Sequence, residues 1–236
     1  PGMLLRALCE SRTWRLAGLR RVIAINGFIF VRTIFLMTAL AMIMRVAGRL
    51  GTIEMAASHV INQYMMLIAL GLDGFAHAAE ALAGKAWGER NRERFRHWVF
   101  HSGAWSGAAA LLYSALFWLA GPTITDMLTD IESVRTASHT LMPLVIALPV
   151  VAVWCYHFDG VFIGATAAGA MMVTMGIAFV GYLLLLDPMS QVWGLHGLWG
   201  AVLVFMALRG LAQAAWYPRL EARLDRPVSA AELQGS

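Results

Sequence analysis

The stretch "MAASHVINQYMMLIALGLDGFAHAAEALAGKAWGER" (residues 55–90) decides how the rest of the chain is read. It opens as an apolar run and ends in a basic cluster. Within it, Asp73, His77 and Glu80 lie four and three residues apart, which puts them on one face of a helix. An apolar helix long enough to cross a bilayer, with two carboxylates and an imidazole on one stripe, reads as a membrane span. Its polar face must turn toward protein or water, because ionisable groups are costly in lipid.

The composition agrees. Of the 236 residues, 59% are hydrophobic and 14% charged, and the mean hydropathy is +0.65. Soluble domains carry about 25% charged residues, so an ordinary soluble domain and a disordered chain are both excluded. Long apolar runs also argue against a β-barrel, whose strands alternate. The fold class expected is an all-α polytopic membrane protein. Six transmembrane helices are predicted, at 22–44, 55–83, 98–120, 137–163, 165–186 and 192–217. Residues 1–21 form an entry segment and 218–236 a polar tail. A chain opening at Pro1 reads as a piece of a longer product. Between the third and fourth spans, "GPTITDMLTDIESV" has apolar residues at helical spacing and predicts a short amphipathic interfacial helix with Pro122 in its first turn.

Basic residues set the orientation. Arg6, Arg12, Arg15, Arg20, Arg21, Lys85, Arg90, Arg92, Arg94, Arg96, Arg219, Arg223 and Arg226 fall on one side, and Arg45, Arg49 and Arg135 on the other. This 13-to-3 split places both termini in the cytoplasm. The net charge of +4 thus reflects membrane flanks, and nucleic acid is not an expected partner; the lipid bilayer is. Trp87, Trp98, Trp118, Trp193 and Trp216 fall near span ends, as an aromatic belt would. Cys9 and Cys155 stand in unlike contexts and suggest neither a disulfide framework nor a zinc site.

The chemistry sits in ionisable residues inside spans. The first span holds Arg32, the second Asp73, His77 and Glu80, the fourth His157 and Asp159, and the sixth Arg209. A carboxylate balanced by a mobile Arg can exchange a proton or cation as that balance shifts. Asp159, Asp73 and Arg32 are therefore the coupling candidates, with His77, His157 and Glu80 as relay or cleft residues. The bland alternative is a permanent Arg32 pair with Asp73 or Asp159 that holds helices together. Pro143 and Pro149 precede Asp159 and are hinge candidates. The methionine-rich "AMMVTM" (residues 170–175) suits lipid or packing contact, or a flexible binding wall. No nucleophile elbow, P-loop, dinucleotide fingerprint or HExxH is present, so no enzyme and no cofactor are expected. No metal is expected beyond a Na⁺ at Asp159.

The strings "GLDGFAHAAEALAGKAWGER", "WCYHFDGVFIGAT" and "GLHGLWGAVLVFMALRGL" resemble the eighth, tenth and twelfth spans of DinF-like MATE (multidrug and toxic compound extrusion) exporters. The resemblance covers roughly residues 19–223. It implies one six-helix lobe of a twelve-helix transporter, the C-terminal one, whose partner is an N-terminal lobe of the same polypeptide. It further implies antiport of H⁺ or Na⁺ against small organic, drug-like or toxic compounds by alternating access, in a bacterial inner membrane. Asp159 matches an acidic position of the C-lobe. Arg32 stands near the site where NorM-type relatives carry a carboxylate, and Ala167 replaces the Arg usual in DinF-type sequences. The alternatives are a lipid-linked precursor flippase of the same wider superfamily, or a membrane scaffold without transport.

Overall fold

The computed structural model describes residues 16–225. The entry segment before residue 16, Cys9 and the tail from 226 lie outside the described residues. All regular structure in the described part is helical: α1 (Leu16–Leu50), α2 (Thr52–Gly88), α3 (Arg92–Leu128), α4 (Glu132–Thr140), α5 (Met142–Gly164) and α6 (Ala168–Glu221). Five of these are long and apolar enough to cross a membrane.

The sixth crossing is inside α6. A straight helix of its 54 residues would be about 80 Å long at 1.5 Å per residue, against about 30 Å of hydrocarbon. The helix breaks at Gly194, with φ 55° and ψ −128°. That backbone conformation is open essentially to glycine alone. The two arms then run back along each other. The Tyr182 and Phe205 rings are 5.2 Å apart, and Gly181 packs against Leu208 and Gly197 against the Met189 carbonyl. The predicted fifth and sixth spans are these arms, but the helix continues beyond 186 as far as the break.

The outer connection differs from expectation. α3 passes through Pro122 without ending, and the short separate helix is α4. Arg135 explains where α3 stops. Its Nε donates to the Thr129 carbonyl at 2.7 Å and its Nη2 to the Asp126 carbonyl at 2.9 Å, capping carbonyls that a helix end leaves unpaired. The predicted fourth span, 137–163, is also divided. α4 ends at Thr140 and the span proper begins at Met142, with Pro143 in its first turn. A proline cannot donate the bond that would extend α4 and is at home in a first turn. Pro143 is therefore a helix start and not a hinge, whereas Pro149 does lie within α5.

α5 is the central post. In its most apolar window 56% of residues are buried, against 11% in α1. It crosses α2 at a seam of small residues. A Cβ on Gly160 would lie 2.9 Å from the Ala76 carbonyl carbon, and one on Gly164 would lie 2.9 Å from the Gly84 nitrogen. Such close backbone approach is how membrane helices gain van der Waals contact without a hydrophobic driving force. The seam fixes the residue before Gly160, which is Asp159, against the α2 face that carries Asp73. The outward surfaces of the bundle are apolar: Leu70 is 78% exposed, and Phe30, Leu112 and Trp118 are similarly open. A soluble protein rarely shows such patches.

Candidate functional site

Asp159 is the centre of a buried charge cluster built from three helices. Its Oδ2 accepts from Nη2 of Arg32, on α1, and from Nη2 of Arg209, on α6, at 2.8 Å. Its Oδ1 accepts from Nε2 of Gln213 at 2.6 Å. Asp159 is 8% exposed, Arg209 4% and Gln213 2%. Arg209 is wedged tightly: its Nη1 is 3.4 Å from the Met206 sulfur and its guanidinium is 5.7 Å from the Phe205 ring centre. Arg32 is looser and reaches the cavity edge.

The cluster forms one wall of a cavity of about 440 Å³, a size typical of small-molecule sites. α2 forms the opposite wall with Asn62, Met65, Met66, Asp73, His77 and Glu80, while Leu36, Tyr156 and Met206 add apolar surface. Asp73 is exposed to this space and has no salt-bridge partner among the described residues. His77 Nδ1 is 3.4 Å from Glu80 Oε2, and both stand on the same stripe as Asp73, as the spacing of 73, 77 and 80 predicts.

Arg32, Asp73, His77, Glu80 and Asp159 thus share one cavity. His157 does not. It is 3% exposed and points at α3, with its ring beside Gly103. Two residues along a helix is a 200° turn, so His157 and Asp159 lie on opposite faces and no relay joins them. The Na⁺ expected at Asp159 fits poorly too. Two guanidiniums and an amide use about three of the roughly four acceptor positions a carboxylate has, and the cluster already holds an excess positive charge. No group of three or more metal-ligating side chains occurs among the described residues. The "AMMVTM" methionines are not the flexible wall either: Met171 and Met175 are core, and Met65, Met66 and Met206 line the cavity instead. Sequence reading missed Gln213. Its signal was the i, i+4 spacing from Arg209, which places both on one face of α6.

Both ends of the bundle are tied by polar contacts. On the side of the predicted cytoplasm, Arg92 bonds Glu221 at 3.0 Å and Asp225 at 2.5 Å. At the other end, His139 meets Asp126 at 3.2 Å and His196 meets the Thr140 carbonyl at 3.1 Å.

A six-span helical bundle with a buried ionic cluster opening onto a cavity defines a polytopic membrane protein. The comparisons with known proteins specify it further. The MatE family model matches residues 29–189. The chain is 38% identical over 206 residues to DNA damage-inducible protein F of Escherichia coli (strain K12), covering 87% of this chain and 44% of that protein. It is 26% identical over 195 residues to Protein DETOXIFICATION 44, chloroplastic, of Arabidopsis thaliana, covering 81% of this chain and 36% of that one. Among solved structures, MATE in complex with MaL6 superposes with a TM-score of 0.80 at 17% identity, over 90% of this chain and 49% of that chain. An outward-facing multidrug resistance MATE family transporter of the MOP superfamily gives 0.73 at 17%, over 84% and 44%. The chain belongs to the MatE family, whose members are membrane transporters and not enzymes. It spans about half the length of the relatives and solved structures it matches.

Proposed function

We propose that this chain is one lobe of a two-lobe exporter in a bacterial inner membrane. The exporter exchanges H⁺ or Na⁺ for small organic compounds of the drug or toxin type by alternating access, with both ends of this lobe cytoplasmic. The observation that carries the reading is the contrast between two carboxylates on one cavity. Asp159 is saturated by Arg32, Arg209 and Gln213, whereas Asp73 faces the same space without a partner among the described residues. An open carboxylate in a membrane cavity can take up and release a cation in exchange for substrate; a saturated one holds the wall together. We therefore assign coupling in this lobe to Asp73 and a positioning role to Asp159, reversing the order expected from sequence. The 13-to-3 basic split supports the orientation.

The flippase alternative is disfavoured by the lining, which sets Asp73, Glu80 and Asp159 against Arg32 and Arg209. A diphosphate-linked lipid needs a cationic cleft. The scaffold alternative accounts for the saturated Asp159 but leaves the open Asp73 without a purpose. The test is uptake of a fluorescent organic cation into proteoliposomes holding the full-length protein. Accumulation is expected when the lumen is made more acidic or richer in Na⁺ than the outside, so that the ion leaves as the organic cation enters, and is absent without such a gradient. Equal uptake with and without both gradients would rule out coupling.

A further inference from the structure

The start of α3 carries a second polar cluster, away from the cavity. No α3 residue lines that cavity, whose walls come from α1, α2, α5 and α6. Three arginines open α3, and two of them are neutralised. Arg92 bonds Glu221 and Asp225, and Arg94 bonds Glu89 at 2.7 Å. Arg96 has no ion-pair partner among the described residues, and neither has Glu93. Both line a shallow groove completed by His97, Phe100 and His101. Steps of three and four residues keep all five on one flank of the helix. His101 Nδ1 donates to the His97 carbonyl at 2.9 Å, which holds its Nε2 away from the backbone, and the two imidazole rings lie 3.9 Å apart. Farther along the same flank Trp105, Leu111 and Leu112 are exposed. The flank is thus layered along the helix axis: a carboxylate, then a guanidinium with two imidazoles, then an apolar stripe.

We propose that this flank holds a phospholipid whose headgroup ends in a primary ammonium. Its phosphate sits on Arg96, His97 and His101, its ammonium on Glu93, and its acyl chains along Phe100, Trp105 and the leucines. The order of the layers carries the assignment. In a leaflet the chains, the phosphate and the amine follow one another outward, and the apolar, basic and acidic layers of α3 do the same. Glu93 and Arg96 are about 4.5 Å apart along the axis at 1.5 Å per residue, a step that a two-carbon ethanolamine arm spans. A guanidinium presents a planar fork of donors that matches a phosphate bidentately. A primary ammonium gives Glu93 a charge-assisted hydrogen bond, which a quaternary ammonium, having no N–H, does not. A headgroup with only an anionic group would set its charge beside Glu93. The helix N-terminus is not the attraction, because Asn91 already caps it, accepting from the Arg94 N–H at 2.9 Å.

The test is native mass spectrometry of purified full-length protein in detergent, titrated with dioleoyl phosphatidylethanolamine or dioleoyl phosphatidylcholine, which differ only in their N-methyl groups. The ethanolamine lipid is expected to bind at least about tenfold more tightly. Glu93→Gln should abolish that preference and leave the choline lipid within about threefold of wild type. Arg96→Gln should weaken both lipids about fivefold, and Arg96→Lys, which keeps the charge but not the fork, should lose less. Arg94→Gln, at a guanidinium already paired, should change either lipid by less than about twofold. Glycerophosphoethanolamine, the headgroup without chains, should not displace the lipid even in large excess. The substituted side chains are exposed, so all variants should unfold at the wild-type temperature. Equal binding of the two lipids, or a preference that survives Glu93→Gln, overturns the proposal. Equal losses with Arg94→Gln and Arg96→Gln do so too, by showing diffuse attraction to the basic end of the bundle. Displacement by the chain-free headgroup would make the groove a site for a soluble phosphate and not for a lipid. None of these results bears on the exporter reading, which rests on the cavity.

Discussion

Replacing Asp159 by Asn tests whether this carboxylate is a fixed counter-ion. The amide has nearly the same shape, so packing is kept, but it carries no charge and offers one acceptor oxygen where two stood. Either Gln213 or the pair of guanidiniums then loses its acceptor. The larger penalty falls on Arg209, which is 4% exposed and is left with only a sulfur contact and the face of Phe205. Breaking a buried pair by removing one partner costs about 3–5 kcal/mol. For a chain of this size each kcal/mol moves the midpoint by about 2–4 °C, so Asp159→Asn should unfold about 6–20 °C below wild type. Adding Arg209→Met removes the stranded charge with a side chain of similar length and should recover at least half of that loss. Arg32→Gln alone should cost about 1 kcal/mol, since Asp159 keeps two donors. The assay is thermal unfolding of purified protein in one detergent, followed by tryptophan fluorescence. The reasoning fails if Asp159→Asn melts within about 2 °C of wild type, or if the double variant is no more stable than the single.

At the α2–α5 seam, Gly160→Ala puts a methyl into the Ala76 carbonyl, an obstacle of backbone that cannot rotate away. Overpacking of this kind costs about 1–3 kcal/mol, and the same thermal assay should show Gly160→Val to be worse. Gly194→Ala forces a side chain into a backbone conformation that glycine alone tolerates, at about 1–3 kcal/mol; a midpoint within error of wild type would argue against the break. Single cysteines introduced at Arg92 and Asp130 should label from opposite sides of the membrane in intact cells, and labelling of both from one side would refute the orientation.

The spans were legible because lipid leaves a chain few choices. Apolar runs of about 20 residues must be helices, and 16 of the 18 basic residues of this chain sort around them, Arg32 and Arg209 alone lying within spans. What misled was proline. Pro122 was read as a start and is passed within α3, while Pro143 was read as a hinge and is a start. The end of α3 is set instead by Arg135, which caps it from the next helix, α4, a contact that local pattern does not reveal. The stripe of Asp73, His77 and Glu80 was readable from helical spacing alone, because one helix carries it. The pairing of Arg32 with Asp159 was foreseen only as one of two options, since it depends on how α1 packs against α5 across 127 positions. His157 was misplaced because nearness in sequence was taken for nearness in space, although two helical steps separate the faces. Gln213 went unnoticed for being uncharged, though a buried carboxylate with two oxygens needs such donors.

The central claim is that Asp73, and not Asp159, exchanges the coupling ion in this lobe. It is tested most directly by separating substrate exchange from uphill transport in the full-length protein reconstituted into liposomes. Asp73→Asn keeps the size of the side chain and removes its charge at a position with no salt-bridge partner among the described residues. Counterflow of labelled against unlabelled substrate, with no ion gradient, should proceed at a rate within about threefold of wild type. Accumulation against a substrate gradient, driven by an imposed H⁺ or Na⁺ gradient, should be lost. Uphill accumulation by Asp73→Asn at the wild-type level would contradict the account and place the coupling carboxylate elsewhere in the transporter.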